Sequence, residues 1–180
     1  MVTNAFINKA PAKELYRYID GVNVDFKAFS ESFYKKVCGA NLQPVLDTIK
    51  LIKKAGVWIE ITNLIIPTLN DNPEIIKEMC KWISNYVGKD TPLHFSRFFP
   101  DYKLRDIPPT PQKTLSKAYE IAKDIGLNYV YIGNMVSDKE STFCPRCGTL
   151  LIKRFGFQIL ENKLKNGKCP CGEKISGVWK

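Results

Sequence analysis

A chain of 180 residues is long enough for one ordinary domain, or for one domain with a small satellite. Its apolar fraction of 44% and charged fraction of 25% are those of a globular protein. No apolar run approaches the length of a bilayer span, and the first residues are not a basic region followed by an apolar stretch. The expectation is a cytoplasmic protein with no membrane partner.

In chain order, one pattern recurs through residue 134: a short apolar strand, a loop, an amphipathic helix, then glycine. Strand-like runs are Val2 to Ile7, Val22 to Phe29, Val57 to Ile66, Leu93 to Phe99 and Tyr129 to Met135. A helix at 42–55 places Leu42, Val45, Leu46, Ile49 and Ile52 on one face, and one at 73–87 does so with Ile75, Ile76, Met79, Cys80 and Ile83. A third has Thr110 as N-cap and Pro111 at its first position, then buries Leu115, Ala118, Ala122 and Ile125. Gly21, Gly56, Gly88 and Gly126 each follow a helical stretch and suit a helix C-terminus. Strands alternating with such helices predict a parallel sheet. The fold class is therefore α/β: a partial (β/α) TIM-type barrel over residues 1–138, incomplete at its N-terminus. The first strand begins with no lead-in, and half a barrel leaves an uncovered sheet edge, so further chain is expected upstream.

Charged residues inside buried strands are costly unless they pair or bind something. Here polar residues recur at two-residue spacing, which puts them on one face: Asp25 with Lys27, Glu60 with Thr62, His94 with Ser96. Asn4, Asn63, Arg97 and Asn134 lie near strand ends. Ligands of such barrels bind at the C-terminal ends of the strands, so these side chains are expected to converge on one mouth. Any single pair can equally be self-satisfied, Asp25 with Lys27 as an ion pair for instance. Three pairs in register favour a ligand site.

Four of the six cysteines group near the C-terminus, where residues 139–180 form the predicted second domain. Cys144-Pro145-Arg146-Cys147-Gly148 is a metal knuckle, with two thiolates spaced to grip one tetrahedral ion and a glycine for the turn. Twenty-one residues further on comes Cys169-Pro170-Cys171-Gly172, a C-x-C in place of the usual C-x2-C, which makes Cys169 a shifted ligand. Zinc on Cys144, Cys147, Cys169 and Cys171 is expected ahead of rubredoxin-like iron, with Leu150–Ile152 and Phe155–Ile159 as a supporting hairpin. Cys38 and Cys80 read as ordinary buried thiols. Net charge is +9, and residues 141–180 hold eight Lys/Arg against two acids. That excess suits a nucleic acid or an acidic protein partner, although the plainer reading is a small basic module kept soluble.

Val24-Asp25-Phe26-Lys27 with Phe33 to Gly39, and Leu64 to Asp71, resemble a strand with its following loop and a later strand end in radical SAM activases of the pyruvate formate-lyase activating type. Leu93-His94-Phe95-Ser96-Arg97-Phe98-Phe99-Pro100-Asp101-Tyr102 is more particular. With Pro108 to Pro111, Gly133-Asn134 and the cysteine tail, it resembles the radical SAM member of the AmmeMemoRadiSam system. The resemblance covers essentially the whole chain and implies a partial barrel holding S-adenosylmethionine against a [4Fe–4S] cluster. It implies that Asp25, Lys27 and His94 contact S-adenosylmethionine or the substrate beside it, and Asn4 and Thr62 complete the candidate cofactor-binding set. The family's C-x3-C-x2-C cluster loop has no counterpart in this sequence. The reading is thus the C-terminal portion of a longer or split radical SAM enzyme, inactive alone and partnered by a separate half that carries the cluster loop. The alternative is a non-catalytic zinc-ribbon protein that binds RNA or a protein partner.

Overall fold

The structure is a computed structural model and describes residues 1–179. Five parallel strands follow one another in chain order across a single sheet: β1 (Val2–Thr3), β2 (Gly21–Asp25), β3 (Trp58–Ile65), β4 (Leu93–Arg97) and β5 (Val130–Gly133). Between them run α1 (Lys9–Leu15), the short α2 (Glu31–Phe33) continued by a π-helical turn at Tyr34–Cys38, α3 (Leu42–Lys54), α4 (Pro73–Tyr86) and α5 (Gln112–Asp124). Strict alternation decides which face each strand buries. Val22, Val24, Ile59, Ile61, Ile65, Leu93, Phe95, Val130 and Ile132 pack with Val45, Ile49, Ile52, Ile76, Met79, Ile83, Leu115 and Ala118 in one core. The helices therefore cover one face, and Asn23, Asp25, Glu60, Thr62, His94 and Tyr131 on the other stay only half-buried.

The helix starts and stops have local causes. Asn72 caps α4 by accepting from Glu74 N and Ile75 N, with Pro73 at the first position. Gly56, Gly88 and Gly126 adopt φ of 77°, 114° and 91° after α3, α4 and α5, as expected of helix C-termini. Gly21 differs from its expected role, because it opens β2 at ordinary φ. The first strand is also shorter than its apolar run. Asn4 Oδ1 accepts from Phe6 N, and Ala5, fully buried, turns the chain at φ 57°.

Thr110 is a second correction. Pro111 takes the N-cap position of α5, and Thr110 is instead a buried clasp between two strand ends. Its hydroxyl donates to Ile65 O and accepts from Phe98 N, while its carbonyl accepts from Arg97 Nε at 3.0 Å. Asn63 and Asn70 perform a similar task for the loop after β2. Asn63 lies on the helix-facing side, 1% exposed, and donates to Phe26 O at 2.8 Å and Lys27 O at 3.0 Å. Asn70 donates to Lys27 O at 2.7 Å and Leu64 O at 2.8 Å and accepts from Ile66 N at 2.6 Å.

Beyond β5, a 3-10 turn at Asp138–Glu140 leads into an antiparallel sheet of β6 (Thr142–Phe143), β7 (Leu150–Phe155) and β8 (Gln158–Asn162). The hairpin turns at Gly156-Phe157, so Phe155 ends the first strand instead of opening the second. Leu151, Ile152 and Ile175 bury a small core with Tyr129, at the start of β5, as its floor. No helix among the described residues is long and apolar enough to cross a membrane.

Asn70→Ala takes the side-chain partner from Leu64 O and Ile66 N and leaves Lys27 O with Asn63 alone, each orphaned group costing on the order of 1 kcal/mol or more. The variant is expected to lose about 2 kcal/mol of stability in urea denaturation, with the slope unchanged.

Candidate ligand face and metal centre

The sheet register assembles the ligand face. Asp25 lies opposite Thr62, Thr62 opposite His94, and His94 opposite Tyr131. Asn4 follows Thr3, whose partner is Val24, and lies exposed where the chain turns after β1. Asp25, Thr62, His94 and Tyr131 thus share one row across the half-buried face, and Lys27 lies two residues past Asp25.

Contacts within the row run diagonally. Lys27 Nζ reaches Asp25 Oδ2 at 2.9 Å, with side chains 38% and 37% exposed, so this pair contributes little stability by itself. Thr62 Oγ1 donates to Asn23 Oδ1 at 2.9 Å, and His94 Nε2 meets Glu60 Oε2 at 2.9 Å. The bond to His94 holds the Glu60 carboxyl below its ordinary range against the opposing effect of burial. Tyr131 stacks on the His94 ring at 4.9 Å between centroids and 20° between planes. Burial raises the Tyr131 phenol. Its hydroxyl pairs with Thr142 at 3.1 Å, and Arg154 donates to that threonine at 2.6 Å. A groove of about 1150 Å³ runs along this face between Trp58, His94 and Tyr131 on the sheet and Arg154, Phe155 and Trp179 beyond it.

Other polar residues singled out by spacing part company. Asn63 faces the helices, as above. Arg97 turns to Thr110 and stacks its guanidinium over Phe99 at 5.0 Å, and Asn134 donates to Arg97 O. The π-helical turn sets Tyr34, whose hydroxyl accepts from Lys27 N at 3.3 Å. Cys38 ends that turn and is exposed, which corrects its reading as a buried thiol. Partial burial still raises its pKa, with Lys27 acting in the opposite direction. Cys80 is buried in α4, as its apolar face implies, and desolvation pushes it up to about 12. Non-glycine residues with left-handed φ gather where strands end: Ala5 after β1, Thr68 at 67° after β3, and Asn134 at 59° after β5.

The four tail cysteines converge, with all their sulfurs within 4.8 Å of one another. Cys144 Sγ lies 3.7 Å from Cys171 Sγ, and Cys147 Sγ lies 3.6 Å from Cys169 Sγ. Those separations suit one tetrahedral ion with metal–sulfur bonds of about 2.3 Å, whose ligands stand just under 4 Å apart. The two turns explain how C-x-C can match C-x2-C. The first closes from Gly148 N to Cys144 O, five residues, and the second from Gly172 N to Cys169 O, four residues. One residue fewer between the thiols goes with one residue fewer in the turn, and Gly148 and Gly172 supply the left-handed φ of 72° and 90°. Thr149 lowers the Cys147 thiol to about 6 through hydrogen bonds, whereas burial pushes Cys169 up to about 12. The cluster could bind a metal.

The fold and the sequence both have known counterparts. No family model matches the chain. It is 49% identical over 182 aligned residues to an uncharacterized protein of Methanocaldococcus jannaschii, covering 99% of this chain and 54% of that protein. It is 27% identical over 123 residues to the pyruvate formate-lyase-activating enzyme of Clostridium pasteurianum, covering 63% of this chain and 52% of that enzyme. The chain is distantly homologous to pyruvate formate-lyase activating enzyme. It spans about half the length of these curated relatives. Its parallel sheet matches a domain of the pyruvate-formate lyase-activating enzyme of Bacteroides vulgatus at TM-score 0.62 and 16% identity, over 73% of this chain and 79% of that one. It also matches a radical SAM methyltransferase of Sphaerobacter thermophilus at TM-score 0.59 and 9% identity, over 73% of this chain and 39% of that one. The five-stranded parallel sheet thus matches the fold of these two solved structures.

Thiols bind metal as thiolates, and burial keeps Cys169 protonated at neutral pH in the metal-free site. Titrating zinc into the reduced chain near pH 7 is expected to release protons, seen as a buffer-dependent calorimetric enthalpy, at about one ion per chain. Cys144→Ser should weaken binding by more than tenfold, and affinity should fall on acidification. Binding that is independent of buffer and pH would contradict thiolate ligation.

Proposed function

We propose that this chain forms the S-adenosylmethionine-facing part of a radical SAM enzyme of the activase-like group. In this reading residues 1–138 belong to a partial βα barrel and residues 139–180 to a zinc-ribbon-like domain. The register row carries the proposal. Asp25, Thr62 and His94 stand side by side on the face without helices, and Asp25 ends β2 with Lys27 just beyond it, at the C-terminal strand edge where parallel α/β folds bind ligands. A ligand with a carboxylate, an ammonium and ribose hydroxyls fits these groups. Lys27 can pair the carboxylate, Asp25 can accept from the ammonium or a hydroxyl, and His94 can bond a ribose or ring nitrogen. The Asp25–Lys27 pair holds both charges in the absence of ligand, and a zwitterionic amino-acid group offers each of them a new partner. Strained backbone at Ala5, Thr68 and Asn134 supports the same mouth. Within the group, His94 to Tyr102 and the cysteine tail favour the radical SAM member of the AmmeMemoRadiSam system.

A [4Fe–4S] cluster supplies the electron that cleaves S-adenosylmethionine in such enzymes. The cysteines of this chain do not fit one. Cys38 and Cys80 belong to no ligating group of three or more among the described residues. The tail sulfurs lie too close together for a cubane, which holds each thiolate on a different iron. Cluster ligands then come from another part of a longer protein or from a separate half, and no step of a radical reaction is assigned to this chain alone. A second reading, a zinc-ribbon protein binding RNA or a protein partner, rests on the basic tail and on the exposed Phe155, Phe157, Ile159 and Leu160 of the hairpin.

Calorimetry with S-adenosylmethionine tests the first reading. Wild-type chain is expected to bind, and Lys27→Ala to bind about tenfold more weakly, the loss of one charge-assisted contact. Absence of binding, or equal binding by both, would sink it. Salt-sensitive RNA binding that ignores Lys27→Ala would shift the assignment to the second reading.

A further inference from the structure

We infer that Glu60 is the positioning residue for His94: its carboxylate takes the Nε2–H of the neutral imidazole and leaves Nδ1 as a bare acceptor for a hydrogen-bond donor on the ligand. The inference rests on the ligand face proposed above and names the part Glu60 plays in it.

Three restraints act on the ring. Glu60 Oε2 meets Nε2 at 2.9 Å, while Trp58 Nε1 donates to Glu60 Oε1 at 3.2 Å, so both carboxylate oxygens are engaged and the group cannot swing away. Tyr131 covers one face of the imidazole at 4.9 Å, and its own hydroxyl is tied to Thr142, which Arg154 holds in turn. Glu60 lies opposite Asn23, one row nearer the strand N-termini than His94. Support therefore comes from below the row, away from the strand ends where the ligand is placed.

Chemistry decides the direction of the bond. The titratable and charged groups around the ring are Glu60, Tyr131 and Arg154. Glu60 is kept ionised by its hydrogen bonds to His94 and Trp58 and by the Arg154 charge. An ionised carboxylate has no proton to donate, so the proton in the Glu60–His94 bond belongs to Nε2. The neutral ring then has its lone pair on Nδ1, for which the described residues supply no partner. Such a nitrogen accepts from a hydroxyl or an ammonium. On the proposed reading, these are the ribose hydroxyls and amino group of S-adenosylmethionine. Without the carboxylate, the ring is free to exchange tautomers and offer either nitrogen.

His94 is the only histidine of the chain, so nitrogen-15 spectra of the histidine-labelled protein report one ring. At mildly alkaline pH the wild type is expected to show the Nε2–H tautomer with a ring N–H proton slow enough to observe. Glu60→Ala should lose that proton signal and weaken S-adenosylmethionine binding about tenfold. Glu60→Gln, whose amide oxygen still accepts, should keep the signal. An Nδ1–H tautomer in the wild type, or a ring spectrum unchanged in Glu60→Ala, overturns the inference. The wild-type tautomer and the Gln variant decide the matter even if Glu60→Ala does not fold. If the tautomer result holds while S-adenosylmethionine leaves Nδ1 unmoved, Glu60 keeps its role and the cofactor reading falls. If the ligand shifts Nδ1 equally in wild type and Glu60→Ala, the cofactor reading stands and the positioning role is lost.

Discussion

Coverage of the parallel sheet by helices on only one face governs the rest of this molecule. The covered face is uniformly aliphatic and aromatic, from Val22 and Val24 through Ile61 and Phe95 to Ile132, and supplies the core. The opposite face has no helix layer, so it can hold carboxylates, an ammonium, a threonine and an imidazole without fully desolvating them. Each still needs a partner, and each finds one on its own or a neighbouring strand. The result is a polar surface already organised by internal bonds, which a ligand of matching charge can join by exchanging partners.

That surface depends on groups outside it. The loop after β2, which sets Lys27, is gripped by Asn63, Asn70 and Tyr34 through its main chain. The ends of β3 and β4 are tied by Thr110. Buried side-chain clasps of this kind give irregular backbone the fixed geometry that regular pairing gives a strand. The cysteine cluster is joined to the same face through a short chain of contacts. Thr142 lies two residues before Cys144 and bonds Tyr131, and Tyr131 stacks on His94.

Local chemistry made several features legible beforehand. Period-3.6 apolar faces gave α3, α4 and α5, and the expected positive φ follows each of them at Gly56, Gly88 and Gly126. Two-residue spacing put Glu60 with Thr62, and His94 with Ser96, on one face of their own strands, because pleating fixes that alternation whatever the neighbouring strands do. What failed involved competition between local and distant partners. Thr110 has every property of a helix cap, yet it is drawn to Ile65 and Phe98, residues far away in sequence. Val2 to Ile7 is apolar enough for a long strand, but Asn4 bonds Phe6 and turns the chain. Gly21 and Cys38 differ from expectation for another reason, since neither a strand start nor an exposed helix end is encoded in one residue type.

The sequence by itself determined the composition of the site: which ionisable groups alternate onto one face, and which four thiols, each pair closed by a glycine, sit together at the tail. It could not determine how those groups pair. Register placed Glu60 diagonally below His94, and turn length brought Cys169 level with the other three sulfurs. Both are distances between segments remote in the chain. They are set by how strands align and turns close against a shared core, and only the tertiary structure fixes them.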